Sequence, residues 1–215
     1  MDLPIINNLK QKRRKEIAQG QDLVIQEIYK LSNKVVLHGG TAIWRCYGGH
    51  RFSWDLDFYF PFEFHSRLKK LKKNLEEIGV DVKKLKTTEN SIYATLLYKK
   101  RTIKFGGLFK NVKQVVTRQY RLIDGTSIVV NTLSSVELLK EKIAAYLDRR
   151  KIRDLYDIYY LSGLIDEKSK IKLFLSELLK NYKEPKNKKQ LQSLIITGVA
   201  PNEKDIKQQI RRWAK

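Results

Sequence analysis

One cysteine in 215 residues, Cys46, has no partner to bridge to and excludes an internal disulfide framework. It fits a reducing compartment. Beside Trp44 and Tyr47 it reads as a small buried hydrophobe rather than a catalytic thiol. Long apolar runs are also missing. No stretch approaches the roughly 18 residues of a membrane span. The opening "MDLPIINNLKQKRRKEIAQG" has no apolar centre between its charges, so it does not read as a secretory leader. A cytoplasmic protein with no membrane partner is expected.

Acidic residues are scarce: 23 Asp and Glu stand against 44 Lys and Arg, a net charge of +21. The deficit is uneven. Residues 1–60 hold nine basic and six acidic side chains, whereas the rest of the chain holds 35 and 17. Arginines cluster at Arg149, Arg150 and Arg153, and again at Arg211 and Arg212. Such a field attracts phosphate backbones and speeds their encounter, so nucleic acid is the expected partner. A lysine-rich solvated surface is the competing explanation.

Periodicity lays out the elements. Residues 10–32 repeat as an amphipathic helix, with Ile17, Leu23, Val24, Ile28 and Leu31 along one face. A short apolar strand ends at Leu37, "TAIWRCY" suits a helix starting at the glycines before it, and "WDLDFYF" is a second strand stopped by Pro61. Residues 63–78 carry a charged helix striped by Leu68, Leu71, Leu75 and Ile78 and stopped at Gly79. Strand signals follow in "SIYATLLY", "TIKFGGLF", "KQVVTRQYRL" and "TSIVV", with Asp124–Gly125 as a hairpin turn. Ser134 and Glu137 have capping-box spacing, and a helical pattern runs on to Tyr160 with a possible break near Arg150. The last fifty residues alternate helix with the solvated connector "KEPKNKKQ". The expected organisation is an α/β domain over 1–131 and a helical domain over 132–215.

The chemistry concentrates in "LHGGTAIWRCYGGHRFSWDLDFYF". In a strand, residues two apart share a face, which projects Asp55 and Asp57 together, about 7 Å apart at their α carbons. Two like charges so placed need compensation, and a divalent cation supplies it. Oxygen ligands at this spacing suit magnesium, with manganese as a substitute, and in-line phosphoryl displacement is the chemistry such sites perform. Gly39 and Gly40 let a backbone approach phosphate closely, and the helix that follows presents N–H groups to an anion. Thr41 and Ser53 add hydroxyls nearby. Together these residues describe a nucleoside triphosphate site. His38, just before the glycines, is a structural hydrogen bonder or a phosphate contact.

Gly39-Gly40-Thr41-Ala42, followed after about ten residues by Arg51-Phe52-Ser53-Trp54-Asp55-Leu56-Asp57-Phe58, resembles the AbiEii/AbiGii toxin family of minimal nucleotidyltransferases. A second stretch, "EKIAAYLDRRKIRDLYDIYYL", matches a later motif of that family with Lys142, an arginine at 149 or 150, Arg153, Asp154 and Asp157. The resemblance spans roughly residues 30–165. It implies a mixed-sheet nucleotidyltransferase fold with flanking helices and a helical C-terminal part. It implies a toxin with a cognate antitoxin that transfers nucleotides to RNA, most often tRNA. By position, Gly39, Gly40 and Thr41 would cradle phosphate, Asp55 and Asp57 would hold metal, Lys142 would contact the triphosphate, and Asp154 or Asp157 would complete the catalytic set. Lys142 and Arg149 lie seven apart on one helical face, and Arg153 extends the strip if the helix is unbroken.

One departure stands out. Where this superfamily often places a third carboxylate, Ile103-Lys104-Phe105-Gly106 carries glycine. That admits two alternatives to an RNA-modifying enzyme: a catalytically degenerate nucleic-acid-binding protein, or a transferase acting on a small molecule or protein.

Overall fold

The computed structural model describes residues 4–215. The described chain divides into two compact units. The first runs to Cys46 and resumes over Ser53–Thr132; the second comprises Tyr47–Phe52 and Leu133–Lys215.

In the first unit, helices α1 (Ile5–Asn8) and α2 (Lys12–Leu31) lead into strand β1 (Val36–His38), helix α3 (Gly39–Cys46) and strand β2 (Asp55–Phe60). A 3-10 turn (Phe62–Arg67) and helix α4 (Leu68–Glu77) follow, then strands β3 (Asp81–Thr87), β4 (Ser91–Tyr98), β5 (Arg101–Phe109), β6 (Val116–Arg121) and β7 (Ser127–Thr132). The strands form one mixed sheet in the order β3-β4-β5-β2-β1-β7-β6. The pairs β2–β5 and β1–β7 are parallel and the others antiparallel.

The core follows the strand alternation. Leu56, Phe58 and Phe60 of β2, Ile103, Phe105 and Phe109 of β5, and Ile92, Ala94 and Leu96 of β4 are buried against one another and against the helices. Helix α2 buries Ile17, Val24, Ile25, Ile28 and Leu31. Leu23, expected on that face, is half-exposed, and Ile25 is buried instead. Gly107 is required where β5 meets β2: a Cβ there would lie 2.3 Å from the Phe58 carbonyl oxygen.

Three features differ from expectation. Residues 63–67 form a 3-10 turn, so the α-helix begins only at Leu68. Strand β3, rich in lysine and lacking an apolar run, gave no strand signal; it is an edge strand, where charged side chains discourage pairing with another chain. The β4–β5 turn consists of Lys99 and Lys100, both at positive φ (46° and 63°), rather than the glycine and asparagine that usually mark such turns.

The second unit is helical: α5 (Ser135–Arg149), α6 (Ile152–Leu164), α7 (Ser169–Lys180), α8 (Gln190–Leu194) and α9 (Glu203–Trp213). Ser134 caps α5 by accepting the Glu137 N–H at 3.2 Å. Glu137 accepts from Lys140 at 2.7 Å, a bond the capping-box expectation does not include. The break near Arg150 is present, with Arg150 left-handed at φ 53°. Residues 47–52, expected as a simple return of the chain, pair with this helical unit. Arg51 bridges to Ile195, the Phe52 N–H donates to the Leu194 carbonyl at 2.8 Å, and the Ile196 N–H donates to the His50 carbonyl at 2.8 Å. No helix among the described residues is long and apolar enough to cross a membrane.

Candidate active site

Strand β1 ends at His38 and passes straight into α3 through Gly39, whose φ is +70°. A Cβ at Gly39 would lie 2.5 Å from Asp57 Oδ2, so only glycine admits the carboxylate at this junction. Asp55 and Asp57 are the outward-facing residues of β2, half-exposed, while Leu56 and Phe58 point into the core. The strand-turn-helix-strand arrangement thus brings Gly39, Thr41, Asp55 and Asp57 together.

Thr41 is fully buried, and its hydroxyl donates to the Asp55 carbonyl oxygen at 2.7 Å. That proton is committed to holding the start of α3 against β2, rather than serving as the free donor expected from the sequence. Gly40 is buried in the first turn of α3. Ser53 precedes β2 and is buried; its carbonyl, with that of Trp54, accepts from the Gln21 side-chain amide at 3.1 and 3.0 Å. His38 stacks on Tyr59 with ring centroids 4.0 Å apart, which fits a structural role. Burial pushes the Cys46 thiol up to about 12, which disfavours the thiolate that a catalytic cysteine needs.

The neighbouring strand explains the missing carboxylate. In the parallel β2–β5 register, Asp55 pairs with Lys104 and Asp57 with Gly106. Gly106 therefore stands beside Asp57 on the outward face, and no acid occupies that place. Among the described residues no group of three or more His, Cys, Asp or Glu side chains is arranged to hold a metal ion. Asp55 and Asp57 would offer two carboxylates, hard oxygen ligands of the kind magnesium and manganese take. Phosphate and water oxygens would complete the coordination shell.

The remaining site residues gather in the helical unit. Arg51 donates from Nε to Asp157 Oδ1 and from Nη2 to Oδ2, each at 2.5 Å. Lys142 Nζ lies 2.9 Å from Asp157 Oδ2 and 3.7 Å from Asp154 Oδ1. Arg149 donates from Nε and Nη2 to the Asp154 carboxylate, both at 2.7 Å. Asp154, Asp157, Lys142 and Arg51 are all buried. Burial alone would push the Asp157 carboxyl up, but the adjoining Arg51 and Lys142 hold it below the usual carboxylate value.

Sequence reasoning paired Arg153 with the Lys142–Arg149 strip on condition of an unbroken helix. The left-handed Arg150 breaks that helix, so Arg153 lies on α6 while Lys142 and Arg149 lie on α5. Arg51, quoted in the motif but given no role, is the residue the sequence reading missed. Its separation of 106 residues from Asp157 hides the pair from any local pattern. Arg45 was missed for the same reason: fully buried on α3, it pairs with Asp22 of α2 at 2.9 Å.

The family described as "Nucleotidyl transferase AbiEii toxin, Type IV TA system" matches residues 26–215. Among solved structures, JHP933 from Helicobacter pylori is similar at a TM-score of 0.62 and 18% identity, with 95% of this chain and 93% of that chain covered. MenT4, a nucleotidyltransferase toxin from Mycobacterium tuberculosis H37Rv, is similar at a TM-score of 0.65 and 15% identity, covering 96% of this chain and 85% of that one. At these identities the likeness establishes the shared fold. No curated protein matches the sequence as a relative.

Proposed function

Because this chain belongs to the AbiEii family of nucleotidyltransferase toxins of type IV toxin–antitoxin systems, we propose that it transfers a nucleoside monophosphate from a nucleoside triphosphate to a hydroxyl of RNA, with tRNA the first acceptor to test. An antitoxin partner follows from the family. The observation that carries the reading is the outward pair Asp55 and Asp57, set against the glycine-opened start of α3.

In this reaction the acceptor oxygen attacks the α-phosphorus. A new phosphorus–oxygen bond forms as the bond to the bridging oxygen breaks. Pyrophosphate leaves, and the hydroxyl proton passes to water at the open face of the sheet. Asp55 and Asp57 would hold magnesium, or manganese in its place; when bound, such a cation offsets the phosphate charge that grows during transfer. Gly39 and Gly40 open α3 beside Asp57, and the backbone N–H groups of that first turn would face the triphosphate. Thr41 fixes α3 against β2, and Ser53 supports the approach to the aspartate strand.

By the family resemblance, Lys142 and Arg149 on α5 and Arg153 on α6 would supply positive charge toward nucleotide. Asp157 would act by orienting Lys142, and Asp154 by orienting Arg149. The Asp157 carboxyl, held low by Arg51 and Lys142, is a poor proton acceptor at neutral pH, which favours positioning over base catalysis.

The test is incubation with total tRNA and each radiolabelled nucleoside triphosphate in turn. Label should enter tRNA with one or more nucleotides, fall to background with EDTA, and be absent with Asp57→Ala. Transfer by Asp57→Ala at the wild-type rate would remove the proposal.

A further inference from the structure

The sheet face that carries Asp55 and Asp57 continues outward across β5, β4 and β3. Register fixes its side chains in two rows. One runs Asp55, Lys104, Thr95, Lys84; the next runs Asp57, Gly106, Tyr93, Lys86. Lys84, Lys86 and Lys104 are exposed, and none has an acidic partner among the described residues. Tyr93 is 40% exposed, a large aromatic ring on an open surface. Gly106 puts no side chain between Asp57 and Tyr93, and a Cβ there would lie in ordinary contact, 3.6 Å from the Ile92 carbonyl oxygen and 3.8 Å from Tyr93 Cδ2.

Residues 81–110 hold eight basic side chains against two acidic ones. Lysines on an edge strand can serve merely to prevent strand pairing, which would account for Lys84 and Lys86. It does not account for Lys104, which lies two strands in from the edge and directly beside Asp55. An exposed aromatic among unpaired cations is the arrangement that holds single-stranded nucleic acid: the ring stacks a base and the ammonium groups follow the phosphates.

We infer that this face is the track for the single-stranded 3′ end of the RNA acceptor. Tyr93 stacks a base near the terminus, Lys104, Lys84 and Lys86 contact successive phosphates, and Gly106, with no side chain to stand in the way, lets the terminal ribose approach Asp57. With neighbouring strands about 4.8 Å apart, Tyr93 lies about 10 Å from Asp57, a gap that a terminal nucleotide spans. The assignment rests on the RNA-directed reaction proposed above and adds where the acceptor lies.

The experiment measures binding of a fluorescent single-stranded RNA oligonucleotide over a salt series without nucleotide, and binding of nucleoside triphosphate by calorimetry. Lys84→Ala/Lys86→Ala should weaken RNA binding about tenfold at low salt and lower the salt slope by about 1.4, the value for two lost single-strand phosphate contacts. Tyr93→Ala should weaken it roughly 5- to 150-fold, while Tyr93→Phe, which keeps the ring, should bind like wild type. Triphosphate binding should be unchanged in all three. Wild-type RNA affinity in the double lysine variant and in Tyr93→Ala would overturn this inference alone. Loss of triphosphate binding with RNA binding intact would assign the face to the donor nucleotide and overturn it equally. If the wild-type protein itself binds no RNA, the RNA acceptor of the proposed reaction falls as well.

Discussion

Arg51 closes a two-pronged bond on Asp157, with Nε and Nη2 each 2.5 Å from a different carboxylate oxygen and both residues buried in the helical unit. The pair joins the 47–52 segment to α6, and through the second contact of Asp157 it fixes Lys142 on α5. Two helices and a short strand-like segment therefore depend on one carboxylate.

Removing the arginine leaves that carboxylate buried with Lys142 alone to offset it. Arg51→Ala should cost about 3 kcal/mol or more, as expected for breaking a buried pair from one side. Arg51→Lys keeps the charge but cannot make both bonds, so it should recover only part of the loss. Urea unfolding of the three proteins checks the order. Equal stability of Arg51→Ala and wild type would show that the pair contributes nothing.

The same carboxyl gives a pH dependence of known sign. Asp157 is held below the ordinary carboxylate value in the fold. Its contribution is therefore complete above the unfolded value of about 4 and is lost as pH falls through the folded value. Asp157→Asn should be less stable than wild type at neutral pH, and the gap should begin to shrink as pH falls below about 4 and close only below the lower folded value, where the native carboxyl protonates. Denaturation midpoints measured from pH 7 downward decide the matter. A constant gap at every pH would contradict it.

At the β1–α3 junction, Gly39→Ala meets two obstacles. The φ of +70° costs about 1 kcal/mol for a residue with a Cβ. The added methyl would also lie 2.5 Å from Asp57 Oδ2 and displace the carboxylate. Nucleotide transfer should fall on the order of a hundredfold, as for an ångström-scale misplacement at a reacting centre, with the protein still folded. Circular dichroism alongside the transfer assay separates the two effects.

Gly106 and Gly107 are adjacent, yet their substitutions should behave oppositely. Gly106→Asp meets its neighbours only at ordinary contact distances, 3.6 Å and beyond, and places a third carboxylate beside Asp57, so manganese binding measured by calorimetry should tighten. Gly107→Ala would bring a Cβ within 2.3 Å of the Phe58 carbonyl and should destabilise the sheet by about 1–3 kcal/mol. If Gly106→Asp leaves manganese affinity unchanged, the outward face beside Asp57 is not where metal binds.

What the sequence determined by itself is what depends on neighbours along the chain. Alternation in β2 set Asp55 and Asp57 on one face because side chains in a strand repeat every second residue. The glycines before "TAIWRCY" announced the strand-to-helix turn, and the cap at Ser134 was readable from a spacing of three. The tertiary structure decided what depends on strand partners and charge pairs far apart in the chain. Only sheet register puts Gly106 beside Asp57, and only folding brings Asp22 to Arg45 and, separately, Arg51 to Asp157 across 23 and 106 residues. β3 needed the sheet as well, because a lysine-rich strand takes its order from backbone bonds to β4 rather than from an apolar face of its own. A local pattern records which way a side chain points; what it meets there is set by segments brought close only when the core closes.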